Sequence, residues 1–84
     1  MAKQQLFHKH FPHIRYRLFT KLQRSVVDAI RHSANRGIDV YESWLQDRKA
    51  MLQYIAELPG CGLTATLRRI DAYKGYEPGN LKWA

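Results

Sequence analysis

Cysteine is nearly absent from this 84-residue sequence, which contains only Cys61. A single thiol excludes an internal disulfide and a zinc site built from several thiolates, and it suits a reducing compartment. Folding therefore depends on the hydrophobic core of one small domain. Because a chain of this length buries only about 60–65% of its unfolded surface, we expect a free energy of unfolding of a few kcal/mol.

Long apolar runs are also absent. No stretch approaches the ~20 apolar residues that a membrane-spanning helix needs. Residues 1–13, MAKQQLFHKHFPH, lack the apolar centre of a signal peptide because histidines and lysines interrupt them. We therefore expect a soluble protein of the cytoplasm that has no membrane partner.

Acidic residues are few relative to basic ones. The chain has 14 Lys and Arg against 7 Asp and Glu, and its net charge is +7. A small domain with such an excess usually binds a polyanion, most often nucleic acid. Ribosome-bound proteins and proteins of membrane surfaces share this charge balance, so charge alone does not choose among these partners.

The spacing of apolar residues predicts an amphipathic helix over residues 14–34. Pro12 is suited to the first turn of a helix, and Gly37 can end one by adopting a positive φ. Residues 1–13 are then expected to form a flexible basic arm. The apolar stripe repeats every three or four residues and consists of Phe19, Leu22, Val26, Ile30 and Ala34.

The opposite face of this predicted helix is cationic. Such a face is either simply solvated or a ridge that contacts phosphates, and the sequence leaves both interpretations open. Arg15 precedes the face, and its members are Arg17, Lys21, Arg24, Asp28 and Arg31.

Four histidines are candidates for metal binding or catalysis. His8, His10 and His13 have a spacing that can bind a transition metal, but a flexible basic-aromatic arm explains them without one. His32 lies on the polar side of the predicted helix, where it needs no function, and we propose no triad for it. We therefore assign none of the four a function.

The residues after the first helix predict a short strand and a second helix. Residues 38–41 alternate and are β-branched, which favours a strand. Ser43 is suited to an N-cap, and Gln46 three residues later completes a capping box. The second helix should end before Pro59 and bury Met51, Leu52, Ile55 and Leu58.

A C-terminal β-hairpin is predicted from the β-propensity of residues 63–70 and 80–83. The connection at 71–79 contains two glycines and a proline, which favour a long turn. The expected fold class is therefore α+β, with two amphipathic helices, a short strand and the hairpin in a single domain over residues 1–84.

Three segments carry a family pattern: NRGIDV at 35–40, ESW at 42–44 and LRRIDAYKGYEPGNLKWA at 67–84. In order and spacing they resemble the phage-encoded HNH-type proteins of the His-Me finger endonuclease class. The pattern of that family is a GRGI block, a tryptophan, an L-D-R/H-I-D strand, a Gly-Tyr-x-Pro-x-Asn turn and a closing R-W-A. The resemblance covers residues 35–84 and implies a hairpin similar to the ββα unit of these enzymes without its final helix.

The same resemblance argues against catalysis. In that family the two strands and their loop bind one divalent metal, and a histidine deprotonates the attacking water. The metal-ligand position corresponds here to Arg68 and the base position to Arg69. A guanidinium repels a cation and cannot accept a proton near neutral pH. Because the helix with the last ligand would follow Ala84, we expect a truncated unit with no catalytic residue, metal or cofactor.

Two residues of the family motif are retained, Asp71 and Asn80. The resemblance implies that Asn80 braces the loop, and both residue types also suit a turn. A residual Mg²⁺-dependent endonuclease is a third hypothesis for this chain, and it would require Asp71 as a metal ligand.

Charge and resemblance together predict a catalytically inactive, phage- or mobile-element-derived protein that binds nucleic acid in a bacterial host cell, DNA rather than RNA. Tyr73 beside Lys74, at the tip of a loop, suits stacking on a base, whereas we expect Trp83 to pack in the core. The predicted contact residues are Arg17, Lys21, Arg24, Arg31, Arg68, Arg69, Tyr73, Lys74 and Lys82.

An alternative of another class is a phage-encoded inhibitor that binds a host or rival protein machine, for example an anti-CRISPR. The hairpin face that a closing helix covers in the family must be covered here by the N-terminal helix, by a second copy in a homodimer, or by a partner protein. The sequence does not decide among these three.

Overall fold

Regular structure begins with helix α1, which spans Tyr16–Arg36 in the computed structural model; residues 11–84 are described. The predicted helix is present, with each end two residues later than expected. It ends where Gly37 adopts φ 67° and donates its N–H to the Ser33 carbonyl, a conformation that favours glycine because it has no Cβ. The helix buries Phe19, Leu22, Val26 and Ala29, whereas Ala34 is exposed.

The residues just before α1 pack onto the core. Phe11 and Ile14 are buried, and the Phe11 ring lies 6.2 Å from that of Phe19. The prediction that the flexible arm extends to residue 13 is therefore wrong, because an aromatic ring gains more from burial than from remaining in water. Pro12 lies in a turn before α1 and not in its first turn. The rest of the arm, with His8 and His10, lies outside the described residues.

Two short helices replace the single second helix that we predicted. Helix α2 spans Glu42–Gln46 and helix α3 spans Arg48–Ala56. Asp47 separates them because its backbone is extended, with φ −142° and ψ 95°, and its side chain accepts a hydrogen bond of 3.1 Å from Lys49 N. Asp47 is therefore the N-cap of α3.

The predicted capping box at Ser43 and Gln46 is wrong. Tyr41 is the N-cap of α2, without a side-chain cap bond, and Ser43 lies within the helix. Serine and aspartate are about equally good N-caps. Asp47 prevails because the helix that starts after it buries three apolar residues, namely Met51, Leu52 and Ile55.

Strands β1 (Leu67–Arg69) and β2 (Leu81–Trp83) form the antiparallel hairpin, which confirms the prediction in a shorter form. Arg68 pairs with Lys82, and residues 62–65 form a turn instead of extending β1. Because side chains alternate along a strand, the hairpin has an outer face with Arg68 and Lys82. Its inner face carries Leu67, Arg69, Leu81 and Trp83.

The inner face of the hairpin is covered by the helices. Trp83 is buried, and its indole N–H donates a hydrogen bond of 2.8 Å to the Ile55 carbonyl at the end of α3. The Lys21 ammonium of α1 lies 5.9 Å from the centroid of the same ring. The inner face of the hairpin is therefore covered, at Trp83, by helices α1 and α3 of the same chain.

The predicted strand at residues 38–41 is reduced to one parallel bridge, between Val40 and Tyr76. Tyr41 N donates to the Tyr76 carbonyl at 2.8 Å, and Tyr76 N donates to the Asp39 carbonyl at 2.9 Å. A Cβ on Gly75 would clash with that Asp39 carbonyl, so only glycine allows this close approach. The bridge anchors the base of the hairpin loop. Across residues 11–84, every helix is too short or too polar to span a lipid bilayer.

Candidate nucleic-acid interface

Arg68 and Lys82 lie directly opposite each other on the outer face of the hairpin, and both are exposed. Opposite residues on one face of an antiparallel pair have Cβ atoms about 4.5–5.5 Å apart, and like charges in this arrangement are destabilising. No carboxylate of residues 11–84 forms an ion pair with either side chain. We call these two residues the outer-face pair, and their repulsion would be relieved by an anion between them.

Helix α1 provides a second cationic surface. Arg17, Arg24 and Arg31 are exposed, Lys21 is half-buried, and the single carboxylate of the helix belongs to Asp28. The remaining carboxylates lie beyond α1, at Asp39, Glu42, Asp47, Glu57, Asp71 and Glu77. The positive charge of α1 is therefore largely uncompensated within the helix.

A groove of about 430 Å³ separates α1 from the hairpin, and we call it the helix groove. Lys21 and Arg24 line it and also line a shallower depression of about 480 Å³ that contains Arg17. Arg31 lines a third depression that also contains Arg24, so Arg24 borders the helix groove and both depressions. The helix groove is lined by Lys21, Arg24, Ser25, Asp28, Ala29, His32, Ala65, Thr66, Leu67 and Tyr76.

Arg69 is held by the protein itself. Its Nη1 donates hydrogen bonds to the Ala72 carbonyl at 2.8 Å and to the Lys74 carbonyl at 2.9 Å. The guanidinium lies 5.6 Å from the centroid of the Tyr76 ring, a cation–π distance. Arg68 and Arg69 are adjacent in the sequence and are both predicted contact residues, but they lie on opposite faces of the hairpin. Arg69 is therefore a brace of the loop rather than a member of the outer-face pair.

Asn80 connects the two ends of the loop between the strands. Its amide is buried, and its Oδ1 accepts from Asp71 N at 2.8 Å. Its Nδ2 donates to the Asp71 carbonyl at 3.1 Å and to the Gly75 carbonyl at 2.8 Å. The Asp71 carboxylate in turn accepts from Tyr73 N at 2.9 Å. Asn80 thus occupies the bracing position that the resemblance implied.

Replacing Asn80 with alanine is expected to lower the free energy of unfolding by between about 1 and 2 kcal/mol, because three hydrogen bonds of part-buried groups are lost and water replaces them only in part. Urea unfolding followed by circular dichroism measures this change. Asn35→Ala is the matched control because Asn35 is exposed. Equal midpoints for the two variants would show that the Asn80 network adds nothing to stability.

Tyr73 and Lys74 occupy the tip of this loop, as expected. The Tyr73 side chain is 100% exposed, the largest fraction among the exposed large hydrophobic residues. Lys74 is exposed beside it. Tyr73 and Lys74 do not line the helix groove. The loop is connected to that groove through Tyr76, which lines the groove and contacts the Arg69 guanidinium that holds the loop.

Residues with catalytic potential are few in this region. Within residues 11–84, no group of three or more His, Cys, Asp or Glu side chains is placed to hold a metal ion. Burial raises the pKa of the Cys61 thiol above its ordinary value, and the Lys21 ammonium opposes this shift only in part. The thiol therefore lacks the depressed pKa of a nucleophilic cysteine. The absence of catalysis stays a prediction.

Comparison of the chain with protein-family models, curated proteins and solved structures found no match. The similarity to HNH-type proteins therefore rests on the sequence segments quoted above.

His32 is a residue that the sequence analysis set aside. It lines the helix groove, and its ring lies 6.4 Å from that of Tyr76 in an edge-on arrangement. A signal existed in the sequence, since Lys21, Ser25, Asp28 and His32 follow the three- and four-residue spacing of one helix face. The partner across the groove, Tyr76, is distant in sequence and could not be inferred from that spacing.

Proposed function

We propose that this protein binds nucleic acid through its phosphates and does not cleave it. The observation that carries the proposal is the outer-face pair, two exposed cations held opposite each other with no acidic partner among the described residues. A phosphate between Arg68 and Lys82 converts their repulsion into two charge-assisted hydrogen bonds. Arg17, Lys21 and Arg24 supply further phosphate contacts along α1.

Duplex DNA in the cytoplasm of a bacterial host is the ligand that follows from the HNH-type resemblance. The hairpin and the bracing by Asn80 support that descent, because both are implied by the quoted sequence segments. Replacement of the metal-ligand and base positions by Arg68 and Arg69 supports binding without hydrolysis. Phosphate contacts of this kind provide affinity and orientation but do not read sequence.

A salt titration of binding to labelled duplex DNA tests the proposal, with and without Mg²⁺. Neutralising ~4–6 phosphates predicts a log–log slope of about −4 to −5, because counterions are released from the duplex. The DNA should stay intact in Mg²⁺. Affinity that does not change with salt, or no binding at low salt, would exclude phosphate recognition of duplex DNA. Cleavage that a chelator abolishes would support the residual endonuclease hypothesis, for which Asp71→Ala is the decisive variant.

A second candidate function is inhibition of a host or rival protein machine, including an anti-CRISPR role. Tyr16 is 44% exposed and Leu63 is 51% exposed, and both line the depression that contains Arg17. Aromatic and apolar side chains with arginine are the composition of protein interfaces. This candidate predicts a tight stoichiometric complex with the partner protein that survives nuclease treatment. If the partner is instead a second copy of this chain, the protein should have twice the monomer mass in solution.

A further inference from the structure

The tip of the hairpin loop combines complete exposure with a fixed backbone. The side chain of Tyr73 is 100% exposed. Its own N–H is held by the Asp71 carboxylate at 2.9 Å, and Lys74 N donates to the Asp71 carbonyl at 3.1 Å. The carbonyls of the two residues that flank it, Ala72 and Lys74, both accept hydrogen bonds from the Arg69 guanidinium.

The base of the loop is fixed as firmly as its tip. Asn80 joins Asp71 to Gly75, and the Gly75–Tyr76 segment is bridged to Asp39. Binding therefore does not have to order this backbone, and the entropy cost of docking Tyr73 is low. A fully exposed aromatic side chain with few rotatable bonds, carried on a fixed backbone, is suited to contact a ligand.

The chemistry around Tyr73 favours an unpaired nucleobase over an apolar protein pocket. The next residue, Lys74, is exposed, and the outer-face pair of Arg68 and Lys82 belongs to the same hairpin. The Asp71 carboxylate accepts from Tyr73 N, and the exposed cations of the hairpin remain available to a ligand. An exposed aromatic ring on a surface with exposed cations is the arrangement with which proteins bind single strands, because the ring stacks on a base while the cations contact the phosphates. A protein partner for this tip would need an acidic surface as well as a pocket.

We propose that Tyr73 stacks on an unpaired base, so that the preferred ligand of this surface is single-stranded nucleic acid. The faces of bases in a duplex are covered by their neighbours and become accessible only when a step is unstacked. The proposal rests on the proposed function, because the phosphates of the same strand contact the cations described above. It changes the expected ligand from the duplex that the resemblance implies to single strands or unpaired regions.

The test compares two labelled probes at low salt, a single strand of mixed sequence and a long blunt duplex of the same sequence. Wild type should bind the single strand more tightly. Tyr73→Ala should weaken single-strand binding about tenfold through loss of one stacked base, and Tyr73→Phe should retain it. Duplex binding should fall less than single-strand binding, because the bases of a duplex are stacked on their neighbours. A fluorescent base analogue in the single strand should be quenched by wild type and by Tyr73→Phe, but not by Tyr73→Ala.

The outcomes separate this inference from the proposed function. Salt-dependent binding that is equal for both probes, or unaffected by Tyr73→Ala, overturns base stacking and leaves phosphate recognition intact. If wild type binds neither probe at low salt, both proposals are wrong. The melting temperature of each variant is measured to exclude misfolding. Because the Tyr73 side chain is fully exposed, its removal should leave the melting temperature unchanged.

Discussion

Replacing Trp83 with alanine is expected to lower the free energy of unfolding by about 3–5 kcal/mol. The indole is 8% exposed, and it packs the hairpin onto the helices where β2 meets α3 and α1. Removal creates a cavity, breaks the 2.8 Å hydrogen bond to the Ile55 carbonyl and removes the ring that Lys21 lies over. Because the expected free energy of unfolding of the wild type is only a few kcal/mol, a large fraction of Trp83→Ala molecules should be unfolded at 25 °C.

Urea unfolding of wild type, Trp83→Phe and Trp83→Ala measures this effect. Phenylalanine retains an aromatic ring and loses mainly the indole hydrogen bond. The free energy of unfolding of Trp83→Phe should therefore lie between those of the other two proteins, about 1 kcal/mol below wild type. A midpoint for Trp83→Ala within the error of wild type would show that the hairpin does not depend on its contact with α3. In that case the hairpin and the helices would not unfold together.

Helix α1 and the hairpin could be predicted from sequence because their signals are local and repeated. The apolar stripe from Phe19 to Ala29 keeps its phase over about three turns of the helix. The hairpin has alternating residues on both sides of a turn rich in glycine and proline.

The helix break at Asp47 could not be predicted in the same way. Ser43 and Asp47 are both good N-caps, and the choice depends on which of them starts a helix that buries Met51 and Ile55 against α1. That choice is made by tertiary packing. The failure of the strand at 38–41 has a similar cause, because Val40 pairs with Tyr76, which lies far along the chain.

The candidate site was predicted in part. Alternation along β1 was enough to separate Arg68 from Arg69, and the two were nevertheless grouped because they are adjacent in the sequence. The role of Arg69 as a brace needed the path of the loop, since its acceptors are the carbonyls of Ala72 and Lys74. The pairing of Arg68 with Lys82 needed the hairpin register.

The outer-face pair predicts that stability and binding change in opposite directions. Lys82→Glu replaces a like-charge pair across the hairpin with an opposite-charge pair, which should raise the free energy of unfolding by about 0.5 kcal/mol. The same substitution removes a phosphate contact and places a carboxylate beside the ligand. Affinity for nucleic acid should therefore fall roughly 10- to 100-fold, the range for a hydrogen bond to a charged group, and the log–log salt slope should become shallower by about 1.

Lys82→Arg separates charge from other effects of the substitution, because it keeps the cation at the same cross-strand position. This variant should retain wild-type affinity, salt slope and stability. If Lys82→Glu lowers both affinity and the unfolding midpoint, the loss of binding follows from damage to the hairpin and not from charge. If it raises stability and leaves affinity unchanged, the outer face does not contact the ligand, and phosphate recognition would have to come from α1 alone. An increase in stability together with a loss of affinity means that the protein retains a destabilising pair of cations because the pair binds phosphate.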